Sequence, residues 1–183
     1  MTLEKTCLEG CYVIQPKVFE DKRGYFFESY NHEKFTQLIG QNINFVQDNE
    51  SKSQKGVLRG LHFQSPPYAQ AKLVRVVQGE VLDVAVDLRK NSPSFGKHQS
   101  VLLTAENKKQ FFMPRGFAHG FLVLSETAIF SYKIDNIYAP EYDTGIIWDD
   151  KNLNIDWQFD KDKLILSEKD KNLQSFKDFK TPF

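Results

Sequence analysis

The chain has 183 residues, of which 40% are hydrophobic and 26% charged, enough for one domain with a core of its own. Lys plus Arg and Asp plus Glu number 24 each, so the basic excess typical of nucleic-acid binders is absent. No apolar run is long enough to cross a membrane, and the first residues lack a signal-peptide layout. We therefore predict a single domain over residues 1–183 with no nucleic-acid or membrane partner.

The two cysteines, Cys7 and Cys11, lie close together near the N-terminus. Without further cysteines or a nearby histidine, this pair is a weak metal signal. Two reduced thiols are the better interpretation, because disulfides are rare in reducing compartments. We therefore expect a cytoplasmic protein.

The N-terminal part predicts one helix flanked by strands. Asn31 suits a helix N-cap, apolar residues follow at helical spacing, and Gly40 supplies the stop. The aromatic residues 25–27 before this helix and the apolar residues 43–46 after it predict strands.

The centre of the chain predicts many short strands. Residues 72–88 form two strands around Gln78 and Gly79, with alternating valines in the second. Turn-forming residues separate further predicted strands at 100–104, 110–113, 120–124 and 128–134. Regularly spaced short strands are typical of a sandwich or barrel. Residues 140–157 are predicted to be irregular, and the tail from Ser167 to hold a short helix.

The most informative segment is GVLRGLHFQSPPYAQAK, residues 56–72. Arg59 and His62 stand three positions apart in it, so a regular strand would point them to opposite faces. Gly60 can bend the strand and bring them together. In isolation, a surface arginine and a core histidine are the simpler explanation of this pair.

A second segment, PRGFAHGF at residues 114–121, weakens that explanation. Together the two segments resemble the paired motifs of the cupin superfamily, with His62 in the first and His119 in the second. Metal-dependent cupins carry a second histidine and then a carboxylate in the first motif, whereas this chain has Gln64 and no carboxylate. Because two histidines alone make a poor divalent site, we predict a cupin barrel without a metal.

Other polar residues suggest chemistry that needs no metal. The cation of Lys72 can stabilise an enolate as it forms next to a ketone. A histidine side chain generally titrates close to neutral pH, which suits a general base, and His62 is the candidate for this role. Inversion of a carbon also requires an acid on the opposite face, and Tyr132 is a candidate for it, with a barrel aromatic as the alternative interpretation.

Several longer strings then identify a family that the chain resembles. They are FEDKRGYFFESY, FVQDNES, GVLRGLHFQ, QAKLVRVVQGEVLDVAVDLR, SPSFG, MPRGFAHGF, SYK and LSEKD. From about residue 11 to 170, the chain is similar to dTDP-4-dehydrorhamnose 3,5-epimerase. This resemblance implies an all-β, cupin-type (jelly-roll) β-barrel with a few short helices, and a homodimer with exchanged N-terminal strands. It also implies a reaction without a cofactor that inverts both carbons flanking the C4 ketone of dTDP-4-dehydro-6-deoxy-D-glucose, giving dTDP-4-dehydro-L-rhamnose.

The resemblance implies four catalytic side chains. His62 matches the proton acceptor, and Asp170 matches the carboxylate that pairs with it and steadies the imidazolium. Tyr132 matches the proton donor, and Lys72 the lysine close to the keto oxygen. By its sequence position alone, Asp170 would be interpreted as a solvated tail residue.

The resemblance also implies a set of substrate-binding residues. It consists of Arg23, Phe26, Glu28, Gln47, Asp48, Asn49, Arg59, His119, Tyr138, Asp143 and Lys169. The guanidinium of Arg23 suits a diphosphate, and the ring of Tyr138 can stack on thymine, with ordinary packing as the alternative. His119 is expected to contact the substrate, or else to be structural. At Asp143 the chain departs from the many members that carry glutamate, so its carboxylate has a shorter reach.

Three alternatives remain beside the 3,5-epimerase. A mono-epimerase acting at C3 or C5 in another deoxysugar pathway would also keep the His62–Asp170 pair. A metal-dependent dioxygenase or isomerase would need ligands that the chain lacks. A non-catalytic sugar-binding cupin would not require His62, Lys72, Tyr132 and Asp170 together, and we therefore predict the 3,5-epimerase.

Overall fold

Short antiparallel strands make up most of the structure, a computed structural model that describes residues 1–183. The strands are β1 (Thr2–Lys5), β2 (Tyr12–Gln15), β3 (Val18–Asp21), β4 (Gly24–Phe27), β5 (Gln47–Gln54), β6 (Leu58–Gln64), β7 (Lys72–Gln78), β8 (Glu80–Asp87), β9 (His98–Thr104), β10 (Gln110–Met113), β11 (Phe117–Val123), β12 (Thr127–Ile134) and β13 (Asp143–Gly145). The helices are α1 (His32–Ile39) and α2 (Glu168–Lys171), with single 3-10 turns at Pro140–Tyr142 and Lys161–Lys163.

Two antiparallel sheets face each other. One has six strands in the order β1-β2-β10-β7-β12-β5, and the other has five in the order β13-β6-β11-β8-β9. Their facing sides bury one apolar cluster, to which the six-stranded sheet contributes Val74, Phe111 and Phe130 and the five-stranded sheet Ala85 and Phe121. This confirms the predicted all-β jelly-roll fold of the cupin type. No hydrogen-bonded ladder joins the two sheets, so the barrel is not closed by continuous pairing.

The five-stranded sheet is covered on both faces. Alternate residues of β8 face the space between the sheets. The others, Leu82, Val84 and Val86, face the opposite way and pack against the C-terminal segment, which holds Trp148 and Trp157. Burial on both faces explains why β8 and β11 have almost no exposed residue and why the sequence there is nearly continuously apolar. The C-terminal segment therefore serves as the outer layer of this sheet.

Helix α1 begins and ends where the sequence predicts. The Asn31 side chain accepts a hydrogen bond from the backbone N–H of Lys34 at 3.1 Å, and Gly40 ends the helix in the left-handed conformation with φ of 69°. Its buried residues Phe35 and Ile39 pack on the outer face of the six-stranded sheet. The predicted strand pair over 72–88 and the short helix after Ser167 are also confirmed.

The strand predicted at 43–46 is wrong, since this segment has no regular structure and the strand begins at Gln47. Ile43 and Phe45 pack against the apolar cluster that contains Phe35 and Ile39 of α1, which explains their apolar character. Strand β5 escaped prediction because it is an edge strand, with polar residues towards the space between the sheets and charged residues towards solvent. The strand predicted at 120–124 begins three residues earlier, at Phe117.

Three smaller findings bear on the sequence predictions. Cys7 is exposed, Cys11 is buried, and both are free thiols. None of the helices combines the length and the apolar character needed to span a bilayer. No group of three or more His, Cys, Asp or Glu side chains is arranged to hold a metal ion.

Candidate active site

Two adjoining cavities lie between the sheets and share three side chains, His62, Lys72 and Tyr132. The larger, of about 500 Å³, is lined by Ser51, Val57, Leu58, Arg59, His62, Lys72, His119, Phe121, Phe130, Tyr132, Ile165, Leu166, Ser167 and Asp170. The smaller, of about 330 Å³, is lined by Gln47, Asn49, His62, Phe63, Gln64, Gln70, Lys72, Tyr132, Ile134, Tyr138 and Asp143. The four side chains predicted to be catalytic therefore meet in one place.

A β-bulge lets Arg59 and His62 face the same cavity. Strand β11 pairs Phe121 with Arg59 and His119 with His62, so Gly60 and Leu61 on β6 lie opposite Gly120 alone. Gly60 has φ of 133°, and a Cβ there would lie 2.5 Å from the Gly120 Cα. Only glycine fits at this position, and the bend predicted at Gly60 is confirmed.

His62 pairs with Asp170 across 108 positions of sequence. The Nε2 atom lies 2.6 Å from Asp170 Oδ1, and the Asp170 side chain is only 4% exposed. Burial alone would raise the pKa of Asp170, but hydrogen bonds from His62 and Ser167 outweigh it and hold the pKa below its usual value. Because the carboxylate is therefore ionised at neutral pH, Nε2 must donate the proton and Nδ1 remains free to act as a base.

A second histidine–carboxylate pair lies behind the first. His119 Nε2 is 2.9 Å from Asp83 Oδ2, and both side chains are buried. Burial lowers the pKa of His119, although Asp83 opposes this, so His119 is neutral at neutral pH. Asp83 was not predicted from the sequence, although a lone carboxylate inside the apolar strand VLDVAV is a visible signal of a buried polar partner.

Lys72 and Tyr132 come from the six-stranded sheet, opposite His62. Lys72 forms no ion pair, and burial lowers its pKa to about 8, although the charges of Asp143 and Asp83 oppose this effect. It is therefore mostly charged at neutral pH. Burial raises the pKa of Tyr132 and outweighs the opposing charge of Arg59, and the nearby Asp143 charge raises it a little further, so the phenol keeps its proton. His62 and Tyr132 thus line the cavity from opposite sheets, and the Lys72 cation lies in the same lining.

Five of the predicted binding residues surround the smaller cavity or its rim. Gln47 and Asn49 are hydrogen-bonded to each other at 2.8 Å on β5. Asp143 Oδ2 accepts from the Tyr138 hydroxyl at 3.0 Å and from Lys169 Nζ at 2.6 Å. The shorter carboxylate at Asp143 is therefore long enough to hold both of these neighbours. Tyr138 is 55% exposed, so it remains accessible to a ligand at the rim of the cavity.

Four predicted binding residues lie away from both cavities. Arg23 is paired with Asp21 at 2.5 Å, and Glu28 with Lys34 at 2.8 Å. Phe26, on β4, is 70% exposed. Asp48 lies on the outer side of β5, between the inward-facing Gln47 and Asn49, and pairs with Lys133 at 2.7 Å. A single chain does not bring these four side chains to the site.

Three polar side chains that were not predicted to be catalytic or to bind substrate stabilise the surroundings of the site. Ser53 Oγ accepts from the Arg59 guanidinium at 3.2 Å, and Ser167 donates to Asp170 Oδ2 at 2.6 Å. Gln64, which stands where metal cupins have a histidine, accepts from the Ala139 N–H at 2.7 Å and donates to the Tyr68 carbonyl at 2.7 Å. Gln64 therefore ties two loops together.

Known proteins match this chain over nearly its whole length. A family model described as dTDP-4-dehydrorhamnose 3,5-epimerase matches residues 5–178. The dTDP-4-dehydrorhamnose 3,5-epimerase of Shigella flexneri is 54% identical over 178 residues, covering 97% of this chain and 97% of that protein. The crystal structure of dTDP-4-dehydrorhamnose 3,5-epimerase from Elizabethkingia anophelis has a TM-score of 0.94 at 59% identity, covering 97% of both chains.

A related crystal structure contains a ligand. It is dTDP-6-deoxy-D-glucose-3,5-epimerase from Legionella pneumophila in complex with dTDP-4-keto-L-rhamnose, with a TM-score of 0.94 and 46% identity, covering 98% of this chain and 94% of that chain. The residues of both cavities lie within the matched regions.

Proposed function

This chain belongs to the dTDP-4-dehydrorhamnose 3,5-epimerase family, and we propose that His62 and Tyr132 divide the proton transfers of this reaction between them. The enzyme is an isomerase that inverts C3 and C5 of dTDP-4-dehydro-6-deoxy-D-glucose to give dTDP-4-dehydro-L-rhamnose. The observation that carries the proposed roles is the placement of a base and an acid on opposite sheets, both facing one cavity.

The first step is removal of a proton next to the ketone. The C4 carbonyl acidifies the hydrogens on C3 and C5, because the carbanion that forms is delocalised onto the carbonyl oxygen as an enolate. His62 Nδ1 takes the proton, and the ionised Asp170 steadies the resulting imidazolium through the 2.6 Å contact. Lys72, which has no carboxylate partner, supplies the positive charge that the enolate oxygen needs.

The second step returns a proton from the other side. Inversion requires that the new C–H bond form on the face opposite His62. The Tyr132 hydroxyl projects from the opposite sheet and is protonated at neutral pH, so it suits this donor role. After each inversion the His62 imidazolium releases its proton to solvent and the Tyr132 phenolate takes one up from solvent. The same pair can then act at the second carbon, and the reaction leaves the oxidation state of the sugar unchanged. We therefore expect that the enzyme requires neither a metal nor an organic cofactor.

The shared walls of the two cavities suggest how the substrate lies. The keto sugar fits at their junction, where His62, Lys72 and Tyr132 meet. The nucleotide then extends along the smaller cavity, past the amides of Gln47 and Asn49 to the open ring of Tyr138. An amide pair can hydrogen-bond a pyrimidine edge, and an aromatic ring can stack on its face.

The number of inverted carbons is tested directly by solvent exchange. Incubation with dTDP-4-dehydro-6-deoxy-D-glucose in D₂O should remove the C3 and C5 proton signals from the sugar NMR spectrum. Exchange at one carbon only would make the protein a mono-epimerase, and binding without exchange would make it a sugar-binding protein. A stoichiometric metal, found after chelator-free purification and required for turnover, would contradict the metal-free mechanism.

The charge of Lys72 predicts an alkaline limit on activity. The ammonium form is present below its pKa of about 8 and is lost above it, so kcat/KM should fall as the pH rises through this value. Asp83→Asn removes one of the two negative charges that raise the pKa of Lys72, so the alkaline fall in kcat/KM, the alkaline limb of the pH profile, should move to lower pH. We would measure kcat/KM across neutral and alkaline pH, with the exposed Asp156→Asn as the control. An unmoved limb in Asp83→Asn would contradict the assignment to Lys72.

We also propose a cytoplasmic homodimer in which the hairpin formed by β3 and β4 reaches the partner's site. The hairpin exposes Phe19, Tyr25 and Phe26, an unusual amount of aromatic surface for a monomer. It also carries Arg23 away from both cavities of its own chain. Contribution of this hairpin to a second copy would explain both facts. The free thiols favour a reducing compartment.

Subunit complementation tests the shared site. If Arg23 acts in the partner's site, a dimer of one Arg23→Ala and one His62→Ala chain contains one site with both residues intact. Co-expression of the two weakly active variants should restore about a quarter of wild-type activity at low substrate, because half of the dimers are mixed and each has one good site. A monomer by light scattering, or no recovery on co-expression, would refute the exchange.

A further inference from the structure

Ser167 forms two hydrogen bonds with Asp170. It is the N-cap of α2, and it also lies in the wall of the larger cavity. Its hydroxyl accepts from the backbone N–H of Asp170 at 3.1 Å and donates to Asp170 Oδ2 at 2.6 Å. Because an ionised carboxylate can only accept hydrogen bonds, the Ser167 hydroxyl must be the donor, and its O–H points towards Oδ2.

The hydroxyl of Ser167 occupies Oδ2 of Asp170, which leaves Oδ1 free to bond His62. Asp170 Oδ1 contacts His62 Nε2 at 2.6 Å and the backbone N–H of Gly60 at 3.4 Å, while Ser167 is the only side chain that bonds Oδ2. The Asp170 side chain is 4% exposed, so water has little access to replace the serine. Ser167 thereby determines which way the carboxylate plane is turned.

We propose that Ser167 is a positioning residue for the epimerisation, which acts on the His62 base through Asp170. The inference rests on the proposed role of His62. A carboxylate held on both oxygens keeps the imidazole in one orientation, with Nδ1 towards the substrate, and stabilises the imidazolium after proton uptake. Without the serine, Oδ2 has no partner and Asp170 can rotate away from His62.

The chain contains a matched control for this motif. Ser175 donates to Asp178 Oδ2 at 2.6 Å and accepts from the Asp178 N–H at 3.2 Å, the same spacing and pattern as Ser167 and Asp170. This second pair is exposed and has no histidine partner. Ser175→Ala therefore removes the same two side-chain hydrogen bonds without touching the site.

The experiment measures kcat and KM separately for Ser167→Ala, Ser167→Thr and Ser175→Ala. We expect Ser167→Ala to lower kcat by roughly 10- to 100-fold with little change in KM, as for loss of a hydrogen bond to a charged group. Ser167→Thr keeps the hydroxyl and should retain most of the activity. Ser175→Ala should retain wild-type kcat, and thermal melts of all variants show whether each is folded.

A double-mutant cycle separates positioning from direct contact with the substrate. If Ser167 acts only through Asp170, adding Ser167→Ala to Asp170→Asn should lower kcat no further. A further loss in that background, a rise in KM alone, or equal effects of Ser167→Ala and Ser175→Ala would each overturn the inference. Failure of the proposed function would instead show in the wild-type enzyme as missing exchange at C3 and C5, or in His62→Ala as retained turnover.

Discussion

Replacing His62 with alanine should lower turnover by roughly 10³-fold and stop solvent exchange at both C3 and C5, because general base catalysis contributes about that much. One imidazole serves both carbons in the proposed mechanism, so the two exchange reactions should disappear together. Binding of dTDP should persist, since the proposed nucleotide contacts with Gln47, Asn49 and Tyr138 do not involve the imidazole. Sugar proton NMR in D₂O and calorimetry with dTDP measure the two properties separately.

Two further variants distinguish loss of the base from loss of folding. His62→Ala leaves the Asp170 carboxylate buried without its partner, which can destabilise the fold. His62→Gln retains an amide donor for Asp170 but cannot take up a proton, so it should lose activity to the same extent. His32→Ala changes an exposed histidine on α1 and should retain wild-type activity. Substantial exchange at either carbon in His62→Gln would remove His62 from the base role.

Replacing Tyr132 with phenylalanine should separate exchange from inversion. The change removes only the hydroxyl, so the proton donor on the face opposite His62 is lost while the ring packing stays. Inversion should fall by about 10²-fold or more, in line with the contribution of a general acid. His62 can still remove a proton and return a deuteron from the same side, so exchange with retained configuration should continue.

The NMR spectrum distinguishes these outcomes. Loss of the C3 and C5 proton signals, while the remaining H1, H2 and methyl signals stay at the positions of the substrate and not of the inverted product, is the expected result for Tyr132→Phe. Tyr142→Phe, at a tyrosine that lines neither cavity, should behave as wild type. If Tyr132→Phe inverts both carbons at the wild-type rate, another group or water must be the acid.

Local parts of the fold were predictable because their determinants lie within a few residues. Asn31 and Gly40 set the ends of α1 through bonds to backbone groups three or four residues away. Gln78 and Gly79 mark the turn between β7 and β8. Strand β5 escaped prediction because the rule of apolar alternation fails for an edge strand that lines a polar cavity.

The candidate site was predictable in part, and mainly through resemblance. His62 could be selected from the spacing of the cupin motif, and Lys72 from the ability of its charge to stabilise an enolate. Asp170 could be paired with His62 only by the family match, because 108 residues separate them. Asp83 and Ser167 were not predicted. Asp83 stands out as a lone carboxylate in an apolar strand, but the sequence does not show which residue either of them bonds.

By itself the sequence determined the all-β class, the helix α1, the two histidine motifs and the departure from metal spacing at Gln64. These properties depend on short-range patterns, in which each residue interacts with near neighbours along the chain. Only the tertiary structure decided which side chains meet: the bulge at Gly60 turns Arg59 and His62 to one side, and α2 brings Asp170 to His62. Such contacts depend on how two sheets and a C-terminal segment pack, which no local pattern encodes. The pairing of His62 with Asp170 is therefore a product of the fold, since 108 positions of sequence separate the two residues.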